Sequence, residues 1–123
     1  MLHLSASCRY YLHRSATDMR KGFDSLCGIV SVELQMNVLS GSVFIFINRK
    51  HTQVKLLLWE GDGLAVYYKR LEKGTYEVPY LDNADNDLSI SHEALQHILQ
   101  GVSLKSVRKR KRYQQPMKTV DNR

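Results

Sequence analysis

Basic side chains gather at four places in this 123-residue chain: Arg20-Lys21, Arg49-Lys50 with Lys55 close behind, Lys69-Arg70, and the run from Lys105 to Arg112. Clustered guanidinium and ammonium groups suit one task above others, meeting phosphate or carboxylate oxygens through charge-assisted hydrogen bonds. In the last run, Lys105, Arg108, Lys109, Arg110, Lys111 and Arg112 follow one another almost without interruption. Such a block has a strong electrostatic footprint and no means of reading base sequence. If every cation in it met a phosphate, log K would fall with log salt at a slope of about −5. A solvated tail and an acidic protein partner are the other readings of the same residues.

The charge is unevenly placed. From Lys105 onward, eight Lys or Arg stand against Asp121 alone, a charge of +7, whereas residues 1–104 hold ten basic and eleven acidic residues, a charge of −1. The net +6 therefore belongs to the tail. Any cation before residue 105 must act by placement, not by bulk field.

Other chemistry is hard to assemble. His92-Glu93-Ala94-Leu95-Gln96-His97 resembles a zinc-protease helix, but that chemistry needs imidazoles at i and i+4, and Gln96 occupies i+4. His97 falls a further ~100° round a helix; the ordinary expectation is two surface histidines. Asp82, Asp85 and Asp87 could in principle hold a hard cation, yet they lack a ligand pattern and read as a solvated loop. Phosphate loop, serine elbow and Cys/His nucleophile pair are all absent. The sequence predicts no catalytic residues, no metal and no cofactor. Cys8 and Cys27 have no CxxC spacing and read as reduced thiols of a cytoplasmic protein. The longest apolar runs are too short to span a bilayer.

The elements that must position these cations can be read from periodicity. Cys8 to His13 is rich in β-favouring residues and predicts a first strand. Thr17 or Asp18 offers a helix N-cap, and Met19, Phe23, Leu26 and Val30 share one helical face. Val43 to Ile47 is continuously apolar, as expected of a strand buried on both faces. Asn48 to Gln53 reads as a basic hairpin loop, and Val54 to Glu60 as the partner strand with Lys55, Leu57 and Trp59 on one face. Gly61-Asp62-Gly63 predicts a tight reversal into a strand from Leu64 to Arg70. Thr75 to Val78 reads as a fourth strand of this meander, stopped by Pro79. Ser91 caps a second helix through Gln100, with Gly101 as its stop. The expectation is an α+β fold with a single antiparallel β-sheet, the meander Ser42–Val78 plus the N-terminal strand, packed by two helices. Residues 1–104 would form one domain and residues 105–123 a flexible basic tail.

Two segments carry a resemblance to a known family. Asp18-Met19-Arg20-Lys21-Gly22-Phe23-Asp24-Ser25-Leu26 resembles a DMRKGxDxL signature, and the block from Ser40 to Gly74 resembles SGxxFxFxNRRxxxxKxLxWDxxGxxLxxKRLExG. Both are signatures of the TnpB-type accessory proteins encoded by the second open reading frame of insertion sequence sixty-six transposons. The likeness extends from about Cys8 to Gly101. Lys50 replaces the second arginine of the NRR element, Glu60 replaces its aspartate, and Val78 stands where the family often has tryptophan. The tail is outside the signature.

The resemblance implies an accessory role in bacterial transposition beside a separate DDE-type transposase, with no cutting of DNA by this chain. It picks out Asp18, Arg20, Lys21, Asn48, Arg49, Lys55, Trp59, Lys69, Arg70 and Glu72 as motif positions. With Lys50 and the tail cations, these lead to an expected cationic rim for DNA phosphates, and to nucleoid association. The alternative is a protein-interaction module that docks on the transposase through a Trp59/Tyr67 face without touching DNA. A homo-oligomer is compatible with either reading.

Overall fold

The computed structural model describes residues 4–78 and 88–100. Along them run β1 (Tyr10–Leu12), α1 (Phe23–Gly28), β2 (Val43–Ile47), β3 (Gln53–Trp59), β4 (Leu64–Arg70), β5 (Ser89–Ile90) and α2 (His92–Gln100). The strands form one sheet in the order β4-β3-β2-β1-β5. The architecture is α+β, and most of the sheet is antiparallel. One pair departs from the expected antiparallel sheet: β1 runs parallel to β2, with Tyr10 opposite Val43 and Leu12 opposite Ile45. The reason is the connection between them, which contains α1 and is long enough to return the chain in the same direction.

β2 shows why its sequence is apolar at every position. Val43, Ile45 and Ile47 enter one core with Tyr10, Leu12, Val54, Leu56, Leu58, Tyr76, Leu95 and Ile98. Phe44 and Phe46 enter a second core with Leu57 and with Leu26, Ile29 and Val30 of the first helical region. The two helical elements thus cover opposite faces of the sheet. Truncating a side chain in either core to alanine costs about 2–5 kcal/mol.

Three local expectations are corrected. Thr75–Val78 is not a strand. Gly74 takes a positive φ of 80°, the Tyr76 amide donates to His51 O at 2.7 Å, and the Tyr76 ring is fully buried in the core. No strand is expected between Val78 and Ser91, yet Ser89 and Ile90 form β5 and pair with Tyr11 and Tyr10. Pro79, Asp82, Asp85, Asp87 and Gly101 lie outside the described residues.

The third correction concerns the start of α1. Neither Thr17 nor Asp18 caps it. The Asp18 carboxylate accepts the Arg20 amide at 2.9 Å, and Asp18 O accepts the Lys21 amide at 3.1 Å, which closes a turn over residues 18–21. The helix begins only after Gly22, whose extended backbone (φ −105°, ψ −156°) interrupts any earlier winding. As a result Phe23 is half exposed, while Leu26 and Val30 are fully buried as their spacing predicts. Past Gly28 the helix widens into a π-helical turn, Ile29–Glu33, closed by the Leu34 amide on Ile29 O at 3.0 Å. α2 follows its prediction: the Ala94 amide donates to Ser91 Oγ at 2.9 Å, an N-cap bond, and Leu95 and Ile98 face the core.

Candidate nucleic-acid interface

The hairpin between β2 and β3 is organised by one side chain. Asn48 Oδ1 accepts the amides of Thr52 at 2.8 Å and Gln53 at 2.9 Å, and its Nδ2 donates to Thr52 Oγ1 at 3.1 Å. His51 closes the loop at φ 60°, in the left-handed region. Asn48 therefore serves the backbone, and the loop it shapes holds Arg49 and Lys50 exposed at its tip. Its oxygen and one of its two N–H groups are thus engaged inside the hairpin.

Across from that loop lies the turn of residues 18–21. Between the two is a cleft of about 710 Å³, lined among others by Asp18, Arg20, Arg49, Lys50, Gln53 and Tyr68. Three cations thus face one recess with a single carboxylate. Arg20 binds that carboxylate closely: its Nη2 donates to Asp18 Oδ2 at 2.6 Å and its Nε to both oxygens at 3.1 and 3.0 Å. Hydrogen bonds from the guanidinium, then from the Arg20 amide, hold the Asp18 carboxyl down at about 2. Arg20, expected to be free for phosphate, is instead held in a fork with Asp18. Lys21 is exposed beside it.

Lys55 is not on the rim at all. Its side chain is buried, 8% exposed, and Nζ donates to Met19 O at 2.8 Å and Lys21 O at 2.7 Å. The ammonium also lies 4.6 Å from the centroid of the Tyr68 ring, a cation–π contact. A lysine at mid-strand can be buried here because carbonyls of the 18–21 turn replace its water shell. This explains why the turn does not wind into helix, since those carbonyls point to Lys55 rather than along a helix axis.

Register separates the remaining candidates. Lys69 pairs with Val54 and Arg70 with Gln53, so adjacent residues point to opposite faces and only Arg70 shares the cleft's side. Arg70 Nε lies 3.2 Å from Glu72 Oε2 in an exposed pair. Trp59 pairs with Leu64 at the far end of β3, and Tyr67 pairs with Leu56. Pairing puts Trp59 on the face of Leu57 and Tyr67 on the face of Leu56. The two cannot form one docking face, which corrects that expectation. Lys105, Arg108, Lys109, Arg110, Lys111 and Arg112 lie outside the described residues.

In the sequence Tyr68, one of seven tyrosines, stands with Trp59 and Tyr67 among the strand aromatics open to a partner and not with the basic residues. Its hydroxyl donates to Gln53 Oε1. The signal that could have found it is the alternation of β4, which places Tyr68 two residues before Arg70 on the same face. His92 is also more engaged than a surface histidine, with its ring 5.7 Å from that of Tyr10 and Nε2 3.2 Å from Leu4 O. Among the described residues no group of three or more His, Cys, Asp and Glu is placed to hold a metal ion, and no helix is long and apolar enough to cross a membrane.

Comparison with known proteins agrees with the signatures. The chain is 31% identical over 102 residues to the uncharacterized protein y4hO of Sinorhizobium fredii (strain NBRC 101917 / NGR234), covering 83% of this chain and 87% of that protein. It is 26% identical over 120 residues to the uncharacterized protein y4jC of the same strain, covering 98% of this chain and all of that protein. No solved structure matches. The family model described as IS66 Orf2 like protein matches residues 8–109, from the residues before β1 to within the basic run, and the chain belongs to that family.

Proposed function

We propose that this chain acts in insertion-sequence transposition as a non-catalytic accessory protein that binds DNA through its phosphates. The observation that carries the reading is the convergence of Arg20, Arg49 and Lys50 on one cleft, from a turn and a hairpin far apart in sequence. Arg70, paired with Glu72, lies on the same side of the sheet. In this reading the cations from Lys105 to Arg112 supply attraction without sequence preference, and the folded part sets the orientation of the strand. The DDE-type transposase of the same element is the protein this complex would serve.

Gel-shift titration of the full chain on transposon-end and unrelated DNA tests the reading. Binding to both at low salt is expected, weakened by Arg49→Ala combined with Lys50→Ala. Truncation after Leu104 should leave a folded protein whose salt slope is shallower by up to about 5. No shift on either DNA at micromolar protein would overturn the reading. It would leave docking on the transposase as the function, detected as co-purification that survives nuclease and high salt.

A further inference from the structure

Tyr68 is 51% exposed, yet it is not a loose surface aromatic. Lys55 Nζ sits over its ring, Gln53 accepts from its hydroxyl, and the residue lines the cleft that Arg20, Arg49 and Lys50 also line. Its neighbour Tyr67 is on the opposite face of the sheet, away from those cations. An aromatic ring standing beside three cations in a cleft is poorly used by duplex DNA, whose bases are stacked inside and whose phosphates ride on its outer ridges. It suits a nucleotide whose base has left the stack, because every base has a π-face and stacks on an aromatic side chain without regard to sequence. The cleft is open to solvent and about 710 Å³ in volume, room for a nucleotide seated at the surface.

We propose that the cleft between residues 16–20 and the Asn48–Gln53 hairpin takes an unpaired nucleotide of a DNA strand, its base against Tyr68 and its phosphate among Arg49, Lys50 and Arg20. The Asp18 carboxylate keeps Arg20 in place and sets a limit on the negative charge the cleft accepts. The two bonds from Lys55 hold the turn and, through the cation–π contact, the ring, so the cleft is preformed. This inference rests on the DNA-binding reading above and assigns the form of DNA that the folded part selects.

Fluorescence anisotropy of the full chain with a labelled oligothymidylate of about 12 nucleotides, and with a duplex of equal length, tests it. The tail attracts both, so the readout is how Tyr68 variants change each affinity. Tyr68→Leu should weaken single-strand binding at least about fivefold and duplex binding by a clearly smaller factor; Tyr68→Phe, which keeps the ring, should retain single-strand affinity. Unchanged single-strand binding by Tyr68→Leu, or an equal loss on both forms, overturns the inference while the phosphate reading stands. If the wild-type chain binds neither form, the phosphate reading itself fails. Competition by thymidine monophosphate at micromolar concentration would assign the cleft to a free nucleotide and overturn the strand assignment.

Discussion

Lys55 Nζ donates to Met19 O at 2.8 Å, and this bond ties the middle of β3 to the turn that precedes α1. The second bond, to Lys21 O at 2.7 Å, makes the ammonium a bracket for that turn. The two segments that carry the family signatures thus meet through one cation. Its charge is directed inward, so it orients Arg20 and Tyr68 without facing the solvent that a ligand would cross.

Lys55→Met is expected to destabilise the fold by about 2–3 kcal/mol, since it leaves two carbonyls of the turn without a charged donor. Urea denaturation measures this. The same variant should weaken DNA binding while preserving the salt slope, because the removed cation meets no phosphate. A slope reduced by about 1 would place Lys55 at the phosphates instead.

Asn48→Ala removes the acceptor for the Thr52 and Gln53 amides and should cost about 1–3 kcal/mol. Asn48→Asp keeps that acceptor and loses only the donor to Thr52, so most of the stability should return. Equal loss in both variants, read from thermal melts, would show that the two amide bonds are not what shapes the hairpin.

Asp18→Asn leaves Arg20 without its carboxylate partner. DNA affinity at low salt should rise, by a factor that shrinks as salt is added. The depressed Asp18 pKa of about 2 keeps the carboxylate ionised well below the usual carboxylate range, so this gain should persist across the mildly acidic range. A gain that vanished as pH fell toward 4 would contradict the tight pairing with Arg20.

His13 is expected to make the fold acid-sensitive. Burial lowers its pKa below 6.5, against the opposing pull of Glu33, whose Oε1 is 3.6 Å from His13 Nε2. With the folded value below the unfolded one, the unfolded chain takes up the proton first as pH falls. Stability is therefore fully present above about 6.5 and declines as pH drops through the folded value. Thermal melts from about pH 8 to 5 should show the decline, and His13→Gln should flatten it. An unchanged profile in that variant would assign the effect to other groups.

Much of the fold is legible in the sequence. The unbroken apolar run Val43–Ile47 announced a strand buried on both sides, Ser91 announced a helix cap, and Gly61-Asp62-Gly63 announced a reversal. Each of these signals is local: a period, a cap or a turn residue expresses a preference that neighbours in sequence can satisfy. The same holds for the two signatures, whose residues and order sufficed to indicate the family.

What remained hidden depended on partners distant in the chain. Alternation assigns Trp59 and Tyr67 to faces of their own strands, but the register of β3 against β4 joins those faces, and it sets the two rings apart. A basic residue reads the same whether its charge meets solvent, a carboxylate or two carbonyls. Lys55 and Arg20 are distinguished from Arg49 and Lys50 only by what the folded chain brings beside them, because the energy of a charge is fixed by its surroundings rather than by its type.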